Sequence, residues 1–241
     1  MSPPRRALIA ITSAHASLFE GGGHQTGVFI GEALHPYNVL KAAGFEVDVA
    51  SEKGTWTEDW LSLQPGFLSD EERRQYDDRN SDFRSEIDRN VKAGDLLEKE
   101  YGIFFASAGH AALIDYPHAT DLKKIAARVW ENGGVVSAVC HGPAIFADLL
   151  DPTTGKPIIQ GKKITGFTTQ AEEEMGIMDS LRSWKEPLID EHTKSLGAEY
   201  VRSEGVWDDY HIVDGRIVTG MNPQSAKSTA EAAVEVFGKQ Q

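Results

Sequence analysis

The stretch at 135–139, Val-Val-Ser-Ala-Val, carries no charge and no turn former, and it runs straight into Cys140-His141-Gly142-Pro143. A short strand without polar alternation is buried on both faces, as a parallel strand is when helices cover it on either side. Gly142 permits a sharp turn, and Pro143 suits the first turn of a helix. The segment reads as strand, elbow and helix, the unit from which doubly wound α/β sheets are built.

The same alternation recurs along the chain. Residues 7–11 read as a buried strand, and 12–26, centred on Gly21-Gly22-Gly23, as a loop. Apolar residues at helical spacing from 28 to 43 predict a helix that stops at Gly44, with a kink one turn after Glu32 because Pro36 lacks an N–H to donate. Strands are expected at 45–50 and 101–106, a helix at 119–131, another opening at Gly142, a hairpin at 212–218 and a last helix from Pro223 to about Phe237. Residues 51–99 differ: they are charged and carry Trp56, Trp60, Phe67, Tyr76 and Phe83, with helical stretches at about 69–75 and 81–91. That is far longer than the roughly 2–6 residues of an ordinary βα connection. The expected architecture is one α/β domain over 1–241, with a mostly parallel central sheet and a cap segment inserted at about 51–99.

Composition narrows the function. With 40% hydrophobic residues among 241, the chain can bury a sizeable core. A net charge of -13 repels phosphate backbones, so nucleic acid is not an expected partner. One cysteine permits neither an intrachain disulfide nor a zinc site of several thiolates, and it suits a reducing compartment. The apolar run at 7–11 is too short for a signal-peptide core or a membrane span, so a soluble intracellular protein with no membrane association is expected. No Gly-x-Gly-x-x-Gly or phosphate-binding loop follows any strand, so no nucleotide cofactor is expected.

Cys140 stands where open α/β sheets bind their ligands, beyond the carboxyl end of a strand. The helix expected to follow would favour thiolate; the plain alternative is a buried core cysteine. His141 is a candidate base, and its orienting partner lies among Glu172, Glu173 and Glu174, which spacing alone does not separate. The small residues of Ala106-Ser107-Ala108-Gly109-His110 let backbone N–H groups approach a bound oxygen. Glu32 lies among Ile30, Ala33 and Leu34; buried beside a thiolate, its carboxyl would stay protonated and could shuttle a proton.

The blocks Thr26-Gly27-Val28-Phe29-Ile30-Gly31-Glu32-Ala33-Leu34-His35-Pro36, Phe104-Phe105-Ala106-Ser107-Ala108-Gly109-His110, Ala138-Val139-Cys140-His141-Gly142-Pro143-Ala144-Ile145-Phe146 and Trp207-Asp208-Asp209-Tyr210 together resemble the heat-shock-type glyoxalase III branch of the PfpI/DJ superfamily, its fungal members above all. The similarity spans nearly the whole chain. It implies a flavodoxin-like three-layer sandwich, a homodimer, and conversion of methylglyoxal, a small 2-oxoaldehyde, to D-lactate without glutathione, cofactor or metal. Carried over by position, Cys140 is the nucleophile, His141 its partner, Glu172 the third member and Glu32 the acid/base. Backbone near Gly109, His110 and His141 would hold the enediolate oxygen. The expected location is the cytoplasm, with a nuclear pool also open. The alternatives are a stress-response holdase chaperone, for which the aromatic residues of 51–99 would offer the surface, a protein deglycase, a redox sensor acting through Cys140, and a hydrolase using the same Cys-His-Glu set.

Overall fold

The fold is described from a computed structural model that covers residues 3–19, 22 and 24–240. Gly21 and Gly23, at the centre of the expected loop, lie outside the described residues. What is described of 12–26 includes two short strands, β2 (Ala16–Ser17) and β3 (Gln25–Thr26), paired antiparallel, which the sequence did not announce.

The strand β1 (Arg6–Ile11) leads through the loop into α1 (Ile30–Ala42), then β4 (Glu46–Ser51). Pro36 sits inside α1 without ending it. The segment that follows forms α2 (Asp70–Asp77), α3 (Asp82–Asp88) and β5 (Val91–Lys92). Ser69 opens α2 with a reciprocal cap: Ser69 N donates to Glu72 Oε2 at 2.8 Å, and Glu72 N donates to Ser69 Oγ at 3.3 Å. Next come β6 (Ile103–Ala106), α4 (Ala112–Asp115), α5 (Thr120–Glu131) and β7 (Val135–Val139). The later chain supplies β8 (Lys163–Ile164), α6 (Thr169–Met175), α7 (Met178–Ser183), α8 (Ile189–Ser195), β9 (Glu199–Tyr200), the hairpin of β10 (His211–Asp214) and β11 (Ile217–Gly220), and α9 (Ala226–Gly238).

Seven strands form the central sheet in the order β10-β11-β7-β6-β1-β4-β5. Every pairing in it is parallel except the β10–β11 hairpin. The chain leaves β1 toward β4 through α1, and leaves β6 toward β7, the other way, through α5. Right-handed crossovers therefore put α1 and α5 on opposite faces, and α9 packs with α1. This is the flavodoxin-like sandwich. The central strands β1, β6 and β7 are buried, with Phe104 and Phe105 wholly inaccessible; each such side chain contributes roughly 1.5–3 kcal/mol by leaving water. The direction of the chain reverses between β1 and β6, so their carboxyl ends flank a crevice that no crossover covers.

Two expectations change. The residues after Cys140 form only a short 3-10 turn, Gly142–Phe146, not an α-helix. All five are buried, and the sequence beyond them, with Asp151-Pro152 and Gly155, cannot extend a helix. Within 51–99, Val91–Lys92 adds the edge strand beside β4, so this segment completes the sheet as well as covering it. Among the described residues, no helix is long and apolar enough to cross a membrane.

Candidate active site

The ends of β7 and β6 and the first turns of α1 and α6 build the site. Beyond β7, Cys140 takes a left-handed backbone conformation, φ +59°, which costs a side-chain-bearing residue about 1–3 kcal/mol. The surroundings enforce it. Cys140 N donates to Gly220 O at 3.0 Å, and Cys140 O accepts from Phe167 N at 2.8 Å. Gly142 must be glycine, since a Cβ there would lie 2.4 Å from Ala106 O. The elbow turns the sulfur into a narrow recess lined by Phe29, Leu61, His110, Phe167, Met175 and Trp207.

His141 follows on the elbow. Its Nδ1 stands 3.2 Å from Cys140 Sγ and its Nε2 2.7 Å from Glu172 Oε1. Thr168 Oγ1 accepts from Ala171 N and starts α6, which places Glu172 in the first turn, pointing inward. Glu173 and Glu174 on the same helix face solvent, so of the three carboxylates only Glu172 reaches the histidine. Its second oxygen is held by His110 Nε2 at 3.0 Å. The imidazole rings of His110 and His141 lie 4.3 Å apart, and Phe167 covers His141 at 4.8 Å.

Glu32 reaches the site from the first turn of α1 and is completely buried. Ala108 N donates to its Oε2 at 3.1 Å. Its Oε1 has no hydrogen-bond partner, and the Cys140 thiol is a polar neighbour of the carboxyl. Burial pushes Glu32 up to about 8, against the opposing pull of the thiol and the Ala108 N–H. Cys140 is raised as well, by burial first and then by the charge of Glu32. This corrects the expectation that a following helix lowers the thiol. Two acidic groups side by side in a dry site cannot both ionise, and with both raised each keeps its own proton at neutral pH.

Glu172 behaves in the opposite way. Burial would raise it, but the imidazoles of His110 and His141, His110 foremost, outweigh burial by charge and hydrogen bonding and hold it at about 2. A depressed carboxyl stabilises the fold above its ordinary value of 4.5, and that share is lost as pH falls toward 2. Equilibrium unfolding of the wild type should lose about 3 kcal/mol through this group over that window. The Glu172→Gln variant should lack that part of the acid dependence.

The other strand end, after β6, presents Gly109 and His110. Gly109 has φ +144°, and a Cβ on it would lie 2.1 Å from Gly27 O, so only glycine fits. Among the described residues, no acceptor in the chain takes up the amides of Gly109 and His110. The main chain here remains open to a bound oxygen, while the His110 ring is turned away to Glu172. His110, His141 and Glu172 also have metal-ligand spacing, with donor atoms within 4.8 Å of one another. Those donors are engaged with each other by hydrogen bonds.

The structure thus brings together Cys140, His141, Glu172, Glu32, Gly109 and His110. Sequence reasoning passed over Asp59, a buried carboxylate whose Oδ1 accepts from Leu61 N at 2.8 Å and whose charge acts on Glu32 and His110. It also gave no role to the walls Phe29, Phe167 and Trp207. A lone tryptophan in the mostly polar and acidic run 203–209 was the available signal for the last of these.

The DJ-1/PfpI family is matched by residues 27–236. Glyoxalase 3 of Candida albicans is 48% identical over 232 residues, covering 96% of this chain and 98% of that one. The glutathione-independent glyoxalase HSP31 of Saccharomyces cerevisiae is 45% identical over 234 residues, covering 97% of this chain and 98% of that one. The crystal structure of glyoxalase III from Candida albicans superposes with a TM-score of 0.92, covering 96% of this chain and 97% of that one.

Proposed function

The chain belongs to the DJ-1/PfpI family, and from that premise we propose that it is a glutathione-independent glyoxalase, a lyase that converts methylglyoxal to D-lactate through a hemithioacetal on Cys140. The observation that carries this reading is the buried pair of Cys140 and Glu32, a thiol beside a carboxyl pushed up to about 8. An acid of that strength can both give and take a proton near neutral pH.

The chemistry is an internal exchange of oxidation level. His141 Nδ1 takes the thiol proton, and the thiolate attacks the aldehyde carbon to form the hemithioacetal. Glu32 and His141 move the proton from that carbon to its neighbour through an enediol. One carbon is oxidised as the other is reduced, so no external electron acceptor is needed. The product is a thioester, and water releases lactate and the free thiol. The amides of Gly109 and His110, which meet no acceptor among the described residues, would steady the negative oxygen of the enediolate, and the His141 backbone N–H would add a donor beside the sulfur.

The recess suits a small substrate, and its walls are largely apolar. The holdase alternative gains nothing from the 51–99 segment, since Trp56, Trp60, Phe67, Tyr76 and Phe83 are all buried or half-buried. The same reading takes the chain as one domain over 1–241 with an insertion at about 51–99, working in the cytoplasm as a homodimer. The acidic surface and single cysteine support that setting. Purified protein freed of glutathione and metal ions should turn methylglyoxal into lactate that a D-specific lactate dehydrogenase oxidises. Consumption of methylglyoxal without lactate, or lactate only when glutathione is added, would overturn the reading.

A further inference from the structure

The catalytic reading uses His141 and Glu172 but leaves the His110 ring without a role. That ring is buried, yet it is not packed as an apolar filler: its Nε2 is spent on Glu172 Oε2 at 3.0 Å. We propose that His110 is a positioning residue that carries the positive charge opposite Glu172, so that His141 stays neutral with Nδ1 open to the Cys140 proton.

The argument begins with Glu172. An ionised carboxylate only accepts, so each ring nitrogen facing it must carry a hydrogen. His141 Nε2–H therefore points to Oε1, and His110 Nε2–H to Oε2. One carboxylate balances one imidazolium. With ring centroids 4.3 Å apart, two cations would repel strongly in a dry site. Asp59 favours a charge on either ring, but His110 is the better holder because it lines the recess, whereas His141 does not. His141 is the more enclosed, under Phe167, and its Nδ1 faces a thiol that must lose a proton. The directions of titration agree: burial lowers both rings, but Glu172 outweighs it for His110, whereas the charge of His110 lowers His141 further. The titratable groups that act on His110 are Glu172 from α6, Asp59 from the turn before 61–63, and the His141 ring from the elbow after β7; Cys140 lines the same recess. The role assigned to His110 rests on the glyoxalase reading, but the charge distribution can be measured without it.

The test is nitrogen NMR of protein labelled on its histidines, titrated with pH. Near neutral pH the wild type should show His110 protonated on both ring nitrogens and His141 neutral, protonated on Nε2. In His110→Gln, which keeps a donor to Glu172 but removes the charge, the His141 titration should move up by at least about one pH unit. The acid limb of kcat/KM for methylglyoxal should move with it, whereas a merely structural role would lower the rate by the same factor at every pH. His110→Asn serves as the second variant. A wild-type spectrum with the charge on His141, or an unmoved His141 titration in the folded variants, overturns the proposal. Ring titrations as expected in a protein that forms no lactate would sink the glyoxalase reading and leave the charge assignment standing.

Discussion

Cys140→Ser should abolish lactate formation from methylglyoxal, with a fall in kcat/KM of at least about 10³-fold, while the protein stays folded. The substitution is nearly isosteric at a site that is 3% exposed. The elbow is held by main-chain bonds from Gly220 and Phe167 that serine keeps. What changes is acidity. A hydroxyl next to His141 and a neutral Glu32 is a far weaker acid than the thiol, and nothing at the site supplies the missing driving force. The assay is lactate production together with near-UV circular dichroism. Residual lactate at wild-type rate in a folded serine variant would remove Cys140 from the mechanism.

Glu32→Gln should separate activity from stability in opposite directions. The amide keeps the acceptor for Ala108 N but cannot move a proton, so kcat should fall about 10²- to 10⁴-fold. Stability should rise. A carboxyl raised to about 8 binds a proton in the folded protein that the unfolded chain, with its ordinary 4.5, has released. Between those values the folded state loses stability as pH climbs. At pH 7 the wild type carries a penalty of about 3 kcal/mol, which glutamine removes. Urea unfolding at pH 7 should show the variant more stable, with the gap closing at pH 5. A variant less stable than wild type at pH 7 would mean that Glu32 is ionised in the resting site.

Much of this was legible because local pattern and tertiary context agree. The uncharged run before Cys140 and the sharp turn at Gly142 each have one economical reading. So do the hairpin around Gly215 and the terminal helix. Other features depend on contacts that no window of sequence contains. Glu32 looks like a residue on a helix edge until β6 places Ala108 over it. The turn after Gly142 stays a single 3-10 segment because its residues are all buried and the chain beyond them breaks. Val91–Lys92 is too short to signal a strand without β4 beside it. The family resemblance chose Glu172 among its neighbours; in the fold the reason is visible, since Glu173 and Glu174 point outward. The grip of His110 on Glu172 joins positions 62 residues apart, and only the fold brings them together.

The claim on which the mechanism stands is that a carbon of the substrate becomes bonded to one buried sulfur. Glu32→Gln should allow attack and block the proton shift, so the adduct should accumulate in that variant. A crystal of Glu32→Gln soaked in methylglyoxal should show density continuous from Cys140 Sγ to a tetrahedral carbon, with an oxygen near the amides of Gly109 and His110. Methylglyoxal lying in the recess without a bond to the sulfur, or bonded to another side chain, would contradict the account.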